Sequence, residues 1–349
     1  MRVVVTGGAG FIGSNLVRWL LRERPDWQVR NLDALTYAGN LENLKGVDAD
    51  PRYAFLHGDV ADPDAVEAAL ADVDAVLHLA AESHVDRSIA SATDFVRTNV
   101  VGTETLLAAA RRRPGLTVVV VSTDEVYGEL PWQDPEAEGP RERFTAGTPV
   151  APRSPYAASK AAGDLLALAY HRTHGVDVRV TRASNNYGPY QFPEKLIPLM
   201  ITNGIEGRDL PVYGDGLHIR DWIHVDDHCR GIVATLERGR AGEVYLFGGD
   251  AERTNRAVVE GLAGHLDVGP ERIRSVPDRP GHDRRYAIDW SGSERALGWR
   301  PLRRFDEGLA ETVDWYRGNV EWWTRVRDGR YQRYYEALYG PGGRSTLGA

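Results

Sequence analysis

Over its first 180 or so residues the chain alternates short β-rich apolar runs with amphipathic helical stretches, a pattern that few architectures can house. Strand-like runs fall at 2–6, 29–33, 53–57, 75–79, 117–122 and 177–182, and helical periodicity at 12–24, 63–70, 94–112 and 155–174. Strands alternating with helices imply βαβ units, so the expected fold class is α/β, a Rossmann-type doubly wound parallel sheet with a smaller C-terminal lobe. The unbroken runs Val3-Val4-Val5 and Val118-Val119-Val120-Val121 suit strands buried on both faces. After residue 182 the texture turns to Gly, Pro, Asn and aromatics. The expected division is therefore 1–182, with roughly 217–247, in a Rossmann lobe and 183–216 with 248–335 in a smaller one, ending in a flexible tail at 340–349. An acidic Pro/Gly-containing stretch at 131–152 reads as a long loop, a kind of segment that often serves binding.

A chain of 349 residues with 42% hydrophobic and 26% charged residues can bury a large core. The net charge of −8 argues against a general nucleic-acid binder, which needs a basic surface. The one cysteine, Cys229, excludes an internal disulfide and fits a reducing compartment. No apolar run approaches the length of a membrane span, and no signal-peptide pattern precedes the first strand, so a cytoplasmic location is expected.

The run at 2–6 leads into Gly7-Gly8-Ala9-Gly10-Phe11-Ile12-Gly13 and then a helix. Glycines at 7, 10 and 13 permit a tight turn, close backbone approach to a pyrophosphate and close helix–strand packing. The helix N-terminus offers its free N–H groups to the phosphates. Asp33, 20 residues beyond Gly13, can bind the adenosine ribose hydroxyls and repel a 2′-phosphate, so NAD is favoured over NADP. Asp59 and Val60, after the third strand, sit where an adenine ring would lie.

Tyr156-Ala-Ala-Ser-Lys160 opens the helix at 155–174 and puts a phenol and an ammonium on one face, four residues apart. Of 42 basic residues only Lys45, Lys160 and Lys195 are lysines, a compact charge whose pKa can shift. Lys160 beside the positive nicotinamide ring is expected to lower the phenol's pKa from its ordinary value of about 10. Asp124-Glu125, within Ser-Thr-Asp-Glu-Val-Tyr-Gly at 122–128, follows a buried strand at the end where open parallel sheets bind ligands. Adjacent carboxylates push each other's pKa apart, which suits one acid and one base. A continued strand would send them to opposite faces, so the backbone must turn there. His224 and His228, four apart on a helix, superficially suggest a metal face, but no metal is expected because the acid and base are already supplied.

Through TGGAGFIG at 6–13 and YAASK at 156–160 the chain resembles the extended short-chain dehydrogenase/reductases. TDEVYG at 123–128 is similar to the signature of the dTDP-glucose 4,6-dehydratases, as are LTYAGN (35–40), HLAAESHVDRS (78–88), SNNYGPYQFPEKLIP (184–198), YGDG (213–216), IRDWIHVDDHCRG (219–231) and DRPGHDRRYAID (278–289). That resemblance implies NAD as a permanently held cofactor and a redox-neutral lyase acting on dTDP-glucose. It implies that Tyr156, with Lys160, deprotonates the C4 hydroxyl as C4 is oxidised. Glu125 then takes the C5 proton, Asp124 protonates the departing C6 hydroxyl, and the hydride returns to C6. Thr123 would hydrogen-bond the 4-keto oxygen. It further implies cofactor contacts from Gly7, Gly10, Phe11, Ile12, Gly13, Asp33, Leu35, Thr36, Asp59, Val60, Leu79, Ala80, Ala81, Ser83, Thr98 and Asn186, besides Tyr156 and Lys160. Sugar-nucleotide contacts would come from His84, Asn185, Glu194, Lys195, Leu196, Pro211, Tyr213, Arg220, Asn255, Arg279 and His282, with Thr123. Arg220, Arg279 and His282 would answer the pyrophosphate.

Three alternatives compete. A dehydratase of another nucleotide hexose, such as UDP-glucose, would differ only in nucleobase contacts. A sugar-nucleotide 4-epimerase needs no carboxylate pair, and a non-catalytic dinucleotide sensor needs neither the pair nor Tyr156 and Lys160. The helices at 94–112 and 155–174 present apolar positions, Val96, Val100, Leu106 and Leu107 on one and Ala161, Leu165, Leu168 and Ala169 on the other. In the resembled family such helices form a four-helix bundle between two subunits, so a homodimer is expected.

Overall fold

The computed structural model describes residues 1–135 and 139–327; the expected tail at 340–349 and the last part of the smaller lobe's range lie outside the described residues. Its centre is a seven-stranded, all-parallel sheet in the order β10-β6-β5-β4-β1-β2-β3. The strands in chain order are β1 (Arg2–Thr6), β2 (Gln28–Asp33), β3 (Tyr53–His57), β4 (Ala75–His78), β5 (Thr117–Thr123), β6 (Asp177–Ala183) and, after three strands of other sheets, β10 (Val244–Phe247). The valine runs feed both faces. Val3, Val5, Val119 and Val121 enter one buried cluster, and Val4, Val118 and Val120 enter the other. The strand order reverses between β1 and β4, which opens a crevice beyond their carboxyl ends.

Helices α1 (Phe11–Glu23), α2 (Pro63–Ala69), α3 (Val85–Ala90), α4 (Thr93–Phe95), α5 (Thr103–Arg111) and α6 (Pro155–His174) follow the early strands. The single helix read at 94–112 is interrupted, because α4 and α5 are joined by a π-helical segment, Val96–Gly102. That register change turns Asn99 inward. Its side chain accepts from Glu82 N (2.9 Å) and donates to Glu82 O (3.0 Å) and to Ser159 Oγ (2.8 Å) on α6. No periodicity rule signals such a bulge, which is common at functional sites.

Beyond the main sheet, β7 (Asn185–Tyr187), β9 (Ile219–His224) and β11 (Glu252–Thr254) form a three-stranded sheet, and β8 (Leu210–Tyr213) pairs with β12 (Ile273–Val276). A separate aromatic-rich core, including Tyr187, Trp222, Phe305, Tyr316 and Trp323, holds these elements together. Among the described residues no helix is long and apolar enough to cross a membrane.

The apolar faces proposed for assembly are narrower than the sequence suggests. Leu106, Leu107 and Ala161 are fully buried inside the chain, and Leu168 packs against the same cluster as the first two. Of the expected positions Val96, at 48%, Leu165, at 56%, and Ala169 remain exposed and Val100 is half-buried; Val101, outside the expected set, is 46% exposed.

Candidate active site

The glycine loop after β1 forms a floor in which Gly7 and Gly13 leave no room for a side chain. A Cβ on Gly13 would sit 2.1 Å from the Gly7 carbonyl oxygen, and one on Gly7, at φ +70°, would meet the Ala80 backbone at 2.8 Å. Helix α1 begins at Gly10 with no side-chain cap and no acid in its first turn, so its open N–H groups face the crevice unopposed. Asp33 is buried at the end of β2, where Oδ2 accepts from Ala9 N and Oδ1 from Leu35 N, both at 2.8 Å. Burial raises its pKa against those bonds.

A cavity of about 660 Å³ lies over this floor. It is lined by Gly7, Gly10, Phe11, Ile12, Gly13, Asp33, Thr36, Asp59, Val60, Leu79, Ala80, Ala81, Ser83, Thr98, Tyr156 and Lys160 among the expected cofactor residues. Two of the expected cofactor residues are not brought into this cavity. Leu35 is not in the lining; its φ of +50° turns it away while its N–H braces Asp33. Asn186 lines the neighbouring cavity, with its amide spent on Ser184 O (3.0 Å) and His228 Nδ1 (2.9 Å). The sequence reading missed Tyr37, Glu82, Arg87, Gln191 and Phe192, which also line the first cavity. All five fall inside the quoted segments; what those segments could not tell is which positions face inward. The shape suits a dinucleotide, with a close-packed glycine floor for the phosphates and an acid at the far end for a ribose.

The second cavity is lined by every residue expected to hold the sugar nucleotide except Thr123: His84, Asn185, Glu194, Lys195, Leu196, Pro211, Tyr213, Arg220, Asn255, Arg279 and His282, together with Glu125. The side-chain oxygens of Asn185 and Asn255 are buried there with no hydrogen-bond partner among the described residues. Gln191, Glu194 and Lys195 line both cavities, so the two meet at that segment.

At the junction the backbone makes the turn the carboxylate pair requires. β5 ends at Thr123, and Asp124–Tyr127 coils into a 3₁₀ turn capped by the Thr123 hydroxyl, which accepts from Glu125 N at 3.3 Å. Asp124 is buried, and one of its carboxylate oxygens has no partner among the described residues. Burial, then Glu125 and Asp221, push its pKa well up. Glu125 is raised mainly by burial, but Arg279, Arg220 and Lys195 oppose the shift. Burial raises both carboxyls, but Glu125 adds to the rise on Asp124 while three cations oppose it on Glu125, so the pair is electrostatically uneven.

Tyr156 lies at the start of α6, whose N-cap Ser154 accepts from Ala157 N at 3.1 Å. Its phenol is raised far above the ordinary value, first by burial and then by Glu125, with the Thr123 hydroxyl acting the other way. This corrects the expected lowering by Lys160, whose buried ammonium instead donates to Val121 O at 2.8 Å. His224 and His228 are not aimed at a shared point. His224 Nδ1 accepts from Asp226 N (3.2 Å), whereas His228 Nδ1 meets Asn186 Oδ1. Among the described residues the grouping that could hold an ion is His218, Asp278 and His282.

Comparison with known proteins agrees with this geometry. Residues 4–312 match the family described as GDP-mannose 4,6 dehydratase. A dTDP-glucose 4,6-dehydratase of an Actinoplanes strain is 52% identical over 93% of this chain and 100% of its own. The solved structure of a dTDP-glucose 4,6-dehydratase from Streptomyces venezuelae, with NAD bound, is 54% identical with a TM-score of 0.88, covering 93% of this chain and 100% of that one. A Bacillus anthracis dTDP-glucose 4,6-dehydratase in complex with NAD is 47% identical with a TM-score of 0.86, over 93% and 99%.

Proposed function

The chain belongs to the dTDP-glucose 4,6-dehydratase family, and on that premise we propose that the groups gathered between its two cavities divide one dehydration among them. It is an NAD-dependent lyase that converts dTDP-glucose to the 4-keto-6-deoxy sugar. The observation that carries the assignment of roles is the Asp124–Glu125 turn beside Tyr156, which a 4-epimerase would have no use for. NAD, in the cavity over the glycine floor, supplies an acceptor that takes a hydride from the sugar and returns it. Gly7, Gly10 and Gly13 admit its phosphates, and Asp33 its ribose.

Tyr156 accepts the C4 hydroxyl proton at its phenol oxygen. To do so it must be the phenolate, the form that burial disfavours and that the positive charge of bound NAD⁺ would favour. The Thr123 hydroxyl also favours the phenolate. With a ketone at C4 the C5 proton is acidic, and Glu125 removes it. Asp124, protonated in its buried setting, donates to the C6 hydroxyl as water leaves. Arg220 and Arg279 bring positive charge to the second cavity, which His282 also lines, and the three take the diphosphate.

Three broader features belong to the same proposal. A Rossmann lobe of residues 1–182 with about 217–247 carries the cofactor, and 183–216 with the residues after 248 carry the sugar nucleotide; the pairing of β10 with β6 supports that division, whereas β9, within 217–247, pairs with β7 and β11 of the other lobe. A homodimer covers the exposed Val96, Val101 and Leu165. A cytoplasmic location suits the single buried Cys229. The direct test of the reaction is an NMR spectrum of dTDP-glucose with the purified protein and no added reductant. A 6-deoxy-4-keto product supports the reading, and a C4 epimer would replace it with the epimerase.

A further inference from the structure

Segment 191–196 forms the wall shared by the two cavities, and its Glu194 carboxylate is 1% exposed. A carboxylate so buried must be paired or it will leave or take up a proton. Its closest cation is Arg87, on α3, with Nη2 3.1 Å from Oε2; His84 Nε2 is farther, at 3.7 Å. The Arg87 guanidinium also lies over the ring of Tyr37, 3.9 Å from its centroid, and that ring meets Phe192 of the segment edge-on at 5.8 Å. Lys195 adds a second tie across the same gap, donating to Ser83 O at 3.0 Å. Tyr37, Arg87 and Phe192 line the dinucleotide cavity, while Glu194 and Lys195 line both.

We propose that Arg87 is a positioning residue that latches segment 191–196 between Tyr37 and Glu194, so that retention of the dinucleotide and binding of the sugar nucleotide each depend on the other. The inference rests on the functional reading above. Arg87 has two partners that face different ligands: its planar face packs on a wall of the dinucleotide cavity, and its charge fixes a carboxylate that also lines the sugar-nucleotide cavity. A sugar nucleotide that orders Glu194 and Lys195 thereby tightens the latch across the dinucleotide, and linkage requires the reverse effect to be equal. Lysine could supply the charge but not the planar face that stacks on Tyr37.

The test measures how fast bound NAD leaves the purified holoenzyme, by repeated desalting and assay of NAD per chain, with and without excess dTDP. Wild type should hold NAD, and dTDP should slow its loss further. Arg87→Gln should lose NAD about tenfold faster or more, a change that needs only about 1.4 kcal/mol, and the slowing by dTDP should shrink toward none. Arg87→Lys should fall between the two. Should the melting transition show Arg87→Gln unfolded, Tyr37→Leu carries the same expectations, since it removes the platform and leaves Arg87 paired with the buried Glu194. A folded Arg87→Gln that keeps NAD at the wild-type rate, with the dTDP effect intact, overturns the latch. Wild type purified without NAD and unable to take it up would instead overturn the functional reading.

Discussion

Asp124 and Glu125 are neighbours in sequence, both raised by burial but unevenly opposed by nearby cations, and that difference makes predictions for each. Asp124 has its folded pKa well above the unfolded carboxylate value of about 3.9. Its contribution to stability is therefore complete below the unfolded value and is lost as pH rises through the folded one. Asp124→Asn should abolish most turnover yet raise Tm at neutral pH, by about 1–2 °C for each kcal/mol released; a lower Tm in a calorimetric scan would contradict the buried-acid assignment. Glu125 must be ionised to act as a base, so kcat should fall on the acid side at a pH above the ordinary glutamate value of about 4.3. Glu125→Gln should cost about 10²–10⁴-fold in turnover, with C4 oxidation, seen as enzyme-bound NADH absorbance, less affected. Tyr156→Phe should suppress that absorbance. At this scale the sequence identified residue types with chemistry to perform, because Tyr-x-x-x-Lys and Asp-Glu sit in local motifs. It could not show that Lys160 reaches Val121 O, that Arg220 and Arg279 surround Glu125, or that Tyr37 and Arg87 face the cavity, since those relations join distant parts of the chain.

Among the elements, the strands and most helices were legible because period-2 and period-3.6 patterns survive in the sequence; β1, β3 and α6 carry the bounds read from it. The departures are local. The π-helical Val96–Gly102 adds a residue per turn that no apolar spacing marks, and it exists to turn Asn99 toward Glu82 and Ser159. β5 runs one residue past its expected end, so Thr123 closes the strand and caps the carboxylate turn. The glycine floor gives the sharpest test of an element. Gly13→Ala places a Cβ 2.1 Å from the Gly7 carbonyl, which only backbone movement can relieve. Overpacking of this kind costs about 1–3 kcal/mol, so the variant should melt several degrees lower and be purified without NAD. A stable Gly13→Ala that still carries NAD would remove the phosphate floor from this account.

For the whole molecule, the apolar residues that the chain leaves uncovered on its π-helical segment and α6, Val96, Val101 and Leu165, are the basis for a two-fold contact. Light scattering should report about twice the 38.6 kDa chain mass, and Leu165→Glu should shift it toward one; a wild-type monomer at micromolar concentration would contradict the contact. The boundary expected at residue 182 rests on a change of texture alone, whereas β10 returns to the main sheet from beyond residue 240, a long-range pairing that composition reveals only faintly. What unites both lobes is a reaction in which the sugar is oxidised and reduced again without leaving the site. The most direct measurement is the fate of deuterium placed at C4 of dTDP-glucose. The account predicts that the label appears at C6 of the product, undiluted by added unlabelled NADH; label found in solvent or in a free NADH pool would contradict it.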